Sequence, residues 1–281
     1  MDKNQPDQNP NAGSGVIVPF PEFDSLKKEV EQLHNKVVKL VLRRDDIKFV
    51  ECKNIEMKYM MTIGVVENRY MQLQGAERRL ARKIELMQAM INRQEKISMP
   101  LIEQILNKEF SEFEYVMSAH VSMLDEAMMR NNSESLSAEE VSELKSSYRK
   151  IVKALHPDLH PEVTEAQLRM FRLAVEAYEK GDMQTMRTIK EAIVDSSVEI
   201  SGGDGIETLK KEKERLSKML DEVKKEIKEI VESFPYNVKG IVESEFLTEM
   251  EISEYEDMCS QSEKSIKRYQ ERIMQMLREN Q

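Results

Sequence analysis

Phe23, Leu26, Val30, Leu33, Val37 and Leu40 recur at alternating spacings of three and four, which places them on one seam of a helix at coiled-coil spacing. Arg43-Arg44-Asp45-Asp46 interrupts that seam, and a second helix is predicted from Ile47 to about Lys96. In it Val66, Tyr70, Leu73, Leu80, Ile84, Met87 and Ile91 keep heptad spacing, with Glu77 at one seam position. Gly64 and Gly75 argue against its continuity, because glycine is costly inside a helix. Met99-Pro100 punctuates the chain. A third helix is predicted from Leu101 to Met129, burying Ile102, Ile105, Phe110, Phe113, Val116 and Met117, and Asn131-Asn132-Ser133 closes it.

At the far end Leu209, Leu216, Leu220, Val223, Ile227, Ile230 and Phe234 form one heptad seam, and Tyr255, Cys259, Ile266, Tyr269, Ile273 and Met276 form another. The break at Phe234-Pro235-Tyr236-Asn237 and the glycine at Gly240 predict that the two fold back as an antiparallel hairpin. The pattern divides the chain into a polar, disordered tail over 1–19, a long helical coiled-coil region over 20–98 and a helix over 99–132. A central module over 133–197, a Gly-rich linker over 198–205 and the C-terminal hairpin over 206–281 follow. The fold class is all-α: long coiled-coil-like helices around a central antiparallel hairpin. Heptad seams serve packing within a chain or self-association between chains.

The central module carries the densest local signals. Ser137-Ala138-Glu139-Glu140 is a capping box, with Leu136 and Val141 placed as a hydrophobic staple. Val141, Leu144, Tyr148, Ile151 and Leu155 make the apolar stripe of the helix that follows. Lys145, Arg149 and Lys153 recur every four residues on another face, with Lys150 close by, as the one basic face of an acidic chain. The helix runs into His156-Pro157-Asp158-Leu159-His160-Pro161, where Pro157 forces a turn. Thr164 to Gln167 is a second capping box and Val163 with Leu168 a second staple. Leu168, Phe171, Val175 and Tyr178 form the facing stripe, and Gly181 ends the helix. Two such helices pack antiparallel, which predicts His156, Pro157 and Asp158 at an exposed tip.

The run YRKIVKALHPDLHP followed by a helix ending in VEAYEKGD resembles helices II and III of the J-domain and the loop between them, and looks more like the divergent J-like proteins of Gram-positive bacteria than like a housekeeping DnaJ. The resemblance implies a co-chaperone that recruits a DnaK-type chaperone and stimulates its ATPase. The implied chaperone-binding residues are His156, Pro157 and Asp158 of the loop and Lys145, Arg149, Lys150 and Lys153 of the basic helix. Leu159 stands where the family has a positive residue, and no aromatic helix I motif precedes Leu136, so the helix from Leu101 to Met129 is expected to supply packing support instead. A coiled-coil scaffold or adaptor that keeps the hairpin only for packing is the competing reading.

Composition narrows the alternatives. The net charge of -10 works against nonspecific nucleic-acid binding. No apolar run reaches the roughly 18 residues of a membrane span, and the start of the chain lacks the pattern of a secretory signal, which predicts a cytoplasmic protein. Cys52 and Cys259 have no neighbours at zinc spacing and read as packed thiols. His156 and His160 stand four apart, but Pro157 removes the helical geometry that metal binding at that spacing requires. With no nucleophile-base pair and no phosphate loop, no cofactor and no enzymatic activity are expected.

Overall fold

The computed structural model describes residues 21–132, 136–193 and 205–280. The tail predicted over 1–19, and all of the linker predicted over 198–205 except Gly205, lie outside them. The described residues are helical almost throughout and contain no strand.

The charged tetrapeptide at 43–46 does not end the first helix. α1 (Pro21–Asp46) passes through a π turn (Ile47–Glu51) into α2 (Cys52–Tyr59), through a second π turn (Met60–Gly64), and into α3 (Val65–Asn92). Asp46, Glu51, Tyr59 and Gly64, at the junctions, all keep right-handed helical dihedrals. This unbroken path spans roughly 100 Å at the helical rise. Each π turn takes in an extra residue and so rotates the downstream apolar stripe by about 100°.

After α3 the chain reverses, and α4 (Met99–Glu109) and α5 (Ser111–Asn132) return along it. The single helix predicted from Leu101 to Met129 is therefore two. Phe110 leaves helical geometry between them (φ -100°, ψ 3°) and packs its ring with the cluster formed by Met87, Ile102 and Leu106. The return is antiparallel: Phe113 lies at Gly75, the His120 Nε2 is 3.3 Å from Glu67, and Arg130 bonds Asn54 at 3.0 Å. Gly75 is present because α5 comes too close for a side chain. A Cβ there would stand 2.2 Å from Cε1 of Phe113.

The central module is α6 (Ala138–Leu155), α7 (Glu165–Lys180) and α8 (Met183–Ala192). Both predicted capping boxes form, and Gly181 (φ 72°) closes α7 in the left-handed conformation. The first staple does not hold as predicted, since Val141 is exposed while Leu136 packs over Gly181. Ile151, Val152 and Leu155 of α6 are fully buried, each contributing about 1.5–3 kcal/mol of burial free energy.

The predicted C-terminal hairpin does not form. α9 (Ile206–Glu232) lies along α1, and α11 (Glu245–Glu279) lies along α3, joined by a short 3₁₀ turn (Tyr236–Val238) and α10 (Lys239–Val242). Both pairings are parallel. Glu22, Glu29 and Arg44 meet Lys210, Lys213 and Glu226 in order, and Glu67 and Arg69 meet Tyr255 and Glu263. The two seams read from the sequence are correct as faces: Leu209, Leu216 and Val223 are buried against α1, and Ile273 and Met276 against the α3–α4 cluster. Their partners differ because α1 and α3 each offer a matching stripe, along which α9 and α11 run. The break at 233–244 rests on α2, with Phe234 edge-on to Tyr59 and Lys239 bonded to Glu51 at 3.2 Å.

Gly75→Ala should lower the unfolding free energy by about 1–3 kcal/mol through overpacking, despite the better helix propensity of alanine. Phe113→Leu in the same chain should recover part of the loss, and chemical denaturation of the single and double variants measures both.

Candidate functional site

The loop after α6 is built by local chemistry. His156 sits before a proline, so its backbone turns extended (φ -63°, ψ 123°) while its N–H still closes the last helical turn on Val152. The amides of Leu159 and His160 then both donate to the His156 carbonyl at 3.0 and 2.9 Å. The His160 Nε2 lies 2.7 Å from the Lys153 carbonyl, to which it donates, satisfying one of the free acceptors at the end of α6.

The module is held to the long helix by two adjacent carboxylates. The Tyr148 hydroxyl donates to Asp45 Oδ2 at 2.8 Å and the Tyr178 hydroxyl to Asp46 Oδ1 at 3.1 Å. The two rings stack at 4.1 Å between centroids, 7° from parallel. Arg44 covers the other oxygen of Asp45 at 2.8 Å and also bonds Glu226 of α9 at 3.0 Å, while Lys145 adds a 3.0 Å ion pair to Asp46. Asp45 is 1% exposed, and a carboxylate so placed needs partners on every oxygen. Burial and the neighbouring carboxylates push both tyrosine hydroxyls well above their ordinary pKa.

The expected exposed tip is only partly found. His156 is 3% exposed and Leu159 is buried; Pro157 is half-buried; the carboxylate end of Asp158 faces solvent. The cause is the parallel course of α9, which closes over the loop and brings Arg215 to donate to the Asp158 carbonyl at 2.8 Å. Support for the hairpin accordingly comes from α1 and α9 rather than from the residues 101–129 expected to provide it. The His156 ring meets Phe171 edge-on at 5.0 Å, and its two nitrogens face the Asp158 N–H (3.1 Å) and the Arg44 guanidinium (3.3 Å). Both of these are donors, and a neutral imidazole has a single lone pair to offer. Protonation would remove even that one.

The basic residues separate. Lys145, Arg149 and Lys153 look into a cleft of about 430 Å³ between α6 and α1, where Lys39 and Arg43 join them. Lys150 lies elsewhere. It stands two turns beyond Glu143, whose carboxylate takes both arms of Arg187 on α8 at 2.6 and 2.9 Å, and so belongs to the α8 flank.

A second carboxylate centre gave no motif in the sequence. Glu67 accepts the Tyr59 and Tyr255 hydroxyls at 3.0 and 3.1 Å and faces His120, tying α2, α5 and α11 together just beyond the second π turn. Tyr255 is pushed up to about 12 by burial and by Glu67. Among the described residues no group of three or more His, Cys, Asp or Glu is arranged to hold a metal ion, and no helix is long and apolar enough to cross a membrane. Compared with known proteins, the chain matches no family model, no curated protein and no solved structure.

Tyr148→Phe leaves a buried Asp45 oxygen without its donor and should cost about 1.5–3 kcal/mol. Tyr178→Phe should cost about 0.5–1.5 kcal/mol, because Asp46 keeps Lys145 and partial access to water. Paired denaturation curves give the ranking.

Burial lowers His156 below its ordinary 6.5, opposed by Asp158 and assisted by Arg44, and burial with nearby His160 does the same to His34. The unfolded chain therefore takes up protons that the folded chain refuses. Stability should fall as the pH drops below about 6.5 and should be insensitive to these groups above it. His156→Gln should flatten the fall above the carboxylate range, as read from unfolding free energies measured across pH.

Proposed function

We propose that this chain is a J-domain-like co-chaperone, a binding protein of the cytoplasm that recruits a DnaK-type chaperone and stimulates its ATPase through the α6–α7 loop. The observation that carries the reading is the disposition of His156-Pro157-Asp158. The histidine is buried as an anchor, and the Asp158 side chain is 53% exposed, with no ion pair among the described residues other than a 3.7 Å approach to His156. A carboxylate held at a fixed turn and left to solvent is suited to a charge-assisted bond with a partner cation. Pro157 and the anchored imidazole reduce the entropy that such a bond would cost. Arg149 and Lys153, on the same helix, are exposed and would steer an acidic partner.

One observation favours the scaffold reading instead. The module is packed on α1 and α9 through His156, Leu159 and the two tyrosines, so the hairpin has a structural role whether or not it recruits a chaperone. Asp158 separates the two, because its exposed carboxylate reaches that packing only through a 3.7 Å approach to His156.

Single-turnover ATP hydrolysis by the DnaK-type chaperone of the same cell tests the proposal. Wild-type chain should accelerate hydrolysis, and Asp158→Asn, with unchanged helicity and unfolding midpoint, should not. Equal rates with and without the wild-type chain would leave the scaffold reading standing.

A further inference from the structure

The chain has 52 acidic against 42 basic residues. On α9, Lys211, Lys218, Lys224, Lys225 and Lys228 each have an acidic partner three or four residues away. The cleft between α1 and α6 instead gathers cations from two helices. Lys39 and Arg43 line one wall, and Lys145, Arg149 and Lys153 line the other. Asp46 is its one carboxylate, and Lys145, Arg43 and the Tyr178 hydroxyl already occupy it. Arg43 is further bonded to Glu51. Among the described residues Lys39, Arg149 and Lys153 have no carboxylate partner, and all three line the cleft, Lys39 on one wall and Arg149 with Lys153 on the other.

Between the walls the floor is apolar: Val38 and Tyr148 are buried, and Leu42 and the ring of Tyr178 lie beside them. The helices run antiparallel here. Lys145 meets Asp46 at one end, and Lys153 and His34 approach at the other. From Lys145 to Lys153 the cleft is about 12 Å long at the helical rise. That length holds about two turns of helix or four extended residues. Lys39, Arg149 and Lys153, left beside the paired Lys145 and Arg43 around an apolar strip, repel one another in the free protein, and an acidic, partly apolar segment would relieve that repulsion.

We infer that the α1–α6 cleft is a docking groove for a short acidic peptide segment, whose carboxylates bridge Lys39 on one wall to Arg149 and Lys153 on the other and whose apolar side chain rests on Val38 and Leu42. This goes beyond the co-chaperone reading, because it puts half of the recognition surface on α1 and leaves Lys150 outside. It does not require a chaperone as the source of the segment.

Fluorescence anisotropy with the full chain and a labelled peptide of alternating glutamate and leucine pairs is the test. The same peptide with glutamine for glutamate, and a single-stranded oligouridylate, serve as comparisons. The acidic peptide should bind, more weakly as salt is raised, and the glutamine peptide should not. Lys39→Glu and Arg149→Glu should each weaken binding about tenfold, whereas Lys150→Glu should change it by less than about twofold. All three residues are exposed and outside the packing, and circular dichroism confirms that the variants fold. The inference is overturned if wild type fails to bind the acidic peptide, if the glutamine peptide binds equally, or if Lys39→Glu is tolerated as well as Lys150→Glu. Tighter binding of the oligouridylate, lost in Lys39→Glu, would overturn it in favour of a nucleic-acid groove. None of these outcomes bears on Asp158, so the groove and the co-chaperone reading fail separately.

Discussion

The pair of carboxylates at Asp45 and Asp46 fixes where everything else in the lower half of the molecule can be. Adjacent residues on a helix point about 100° apart, so two neighbouring aspartates can both reach one module only if that module offers donors at two separated points. The stacked tyrosines do this: Tyr148 comes from α6 and Tyr178 from α7, and their hydroxyls diverge to one oxygen each. A rotation or slide of the hairpin on α1 would strand a buried charge, which is far more costly than losing apolar area. Arg44 extends the same constraint to α9 through Glu226, so one short segment of sequence holds three parts of the fold in register.

The upper half repeats the device with different residues. Glu67 gathers a tyrosine from α2, a tyrosine from α11 and a histidine from α5. Each carboxylate centre lies beside a π turn, and the helices that converge there touch the π turn itself: α7 and α9 at the first, α5 and α11 at the second. Two parallel apolar seams allow α9 and α11 to slide along the long helix, since hydrophobic contact is non-directional. The directional bonds to Glu226 and Glu67 remove that freedom.

What the sequence made legible was local. Capping boxes, the proline after His156 and the left-handed Gly181 each act within a few residues, and each appears as read. Faces were legible for the most part, because a heptad pattern states which side of a helix is buried, although Val116, read as buried, and Phe234, read on a seam, are exposed. Partners were not, because the same pattern satisfies an antiparallel neighbour and a parallel one. The C-terminal hairpin followed from a short break and the habit of consecutive helices to pair, and it failed because α1 and α3 presented stripes of equal quality elsewhere. Asp45 and Asp46 were read as an interruption because charged residues on a seam cannot be told from a helix end until their tyrosines, more than a hundred residues away in sequence, are seen. Glu67 was invisible for the same reason. Of the candidate site, the loop and the α6 cations were legible, whereas Lys39 and Arg43 were not, since nothing in the sequence brings α1 to face α6.

The burial of His156 reshapes what the loop can offer a partner. A free tip would present all three residues and pay for ordering them on binding. Here the histidine is already ordered, between Phe171 and Arg44, and its neutral state is required by the donors around it. The ordering cost of the loop is thereby charged to folding and not to recognition. Asp158 is left as a carboxylate on a rigid turn, with Arg215 fixing its backbone from the other side. Substitutions at His156 and Asp158 therefore report on different things, the first on the packing of the module and the second on the exposed face of the loop. The Asp158 carboxylate, 3.7 Å from the buried ring, also acts on it electrostatically and favours its charged form, against the burial that disfavours it.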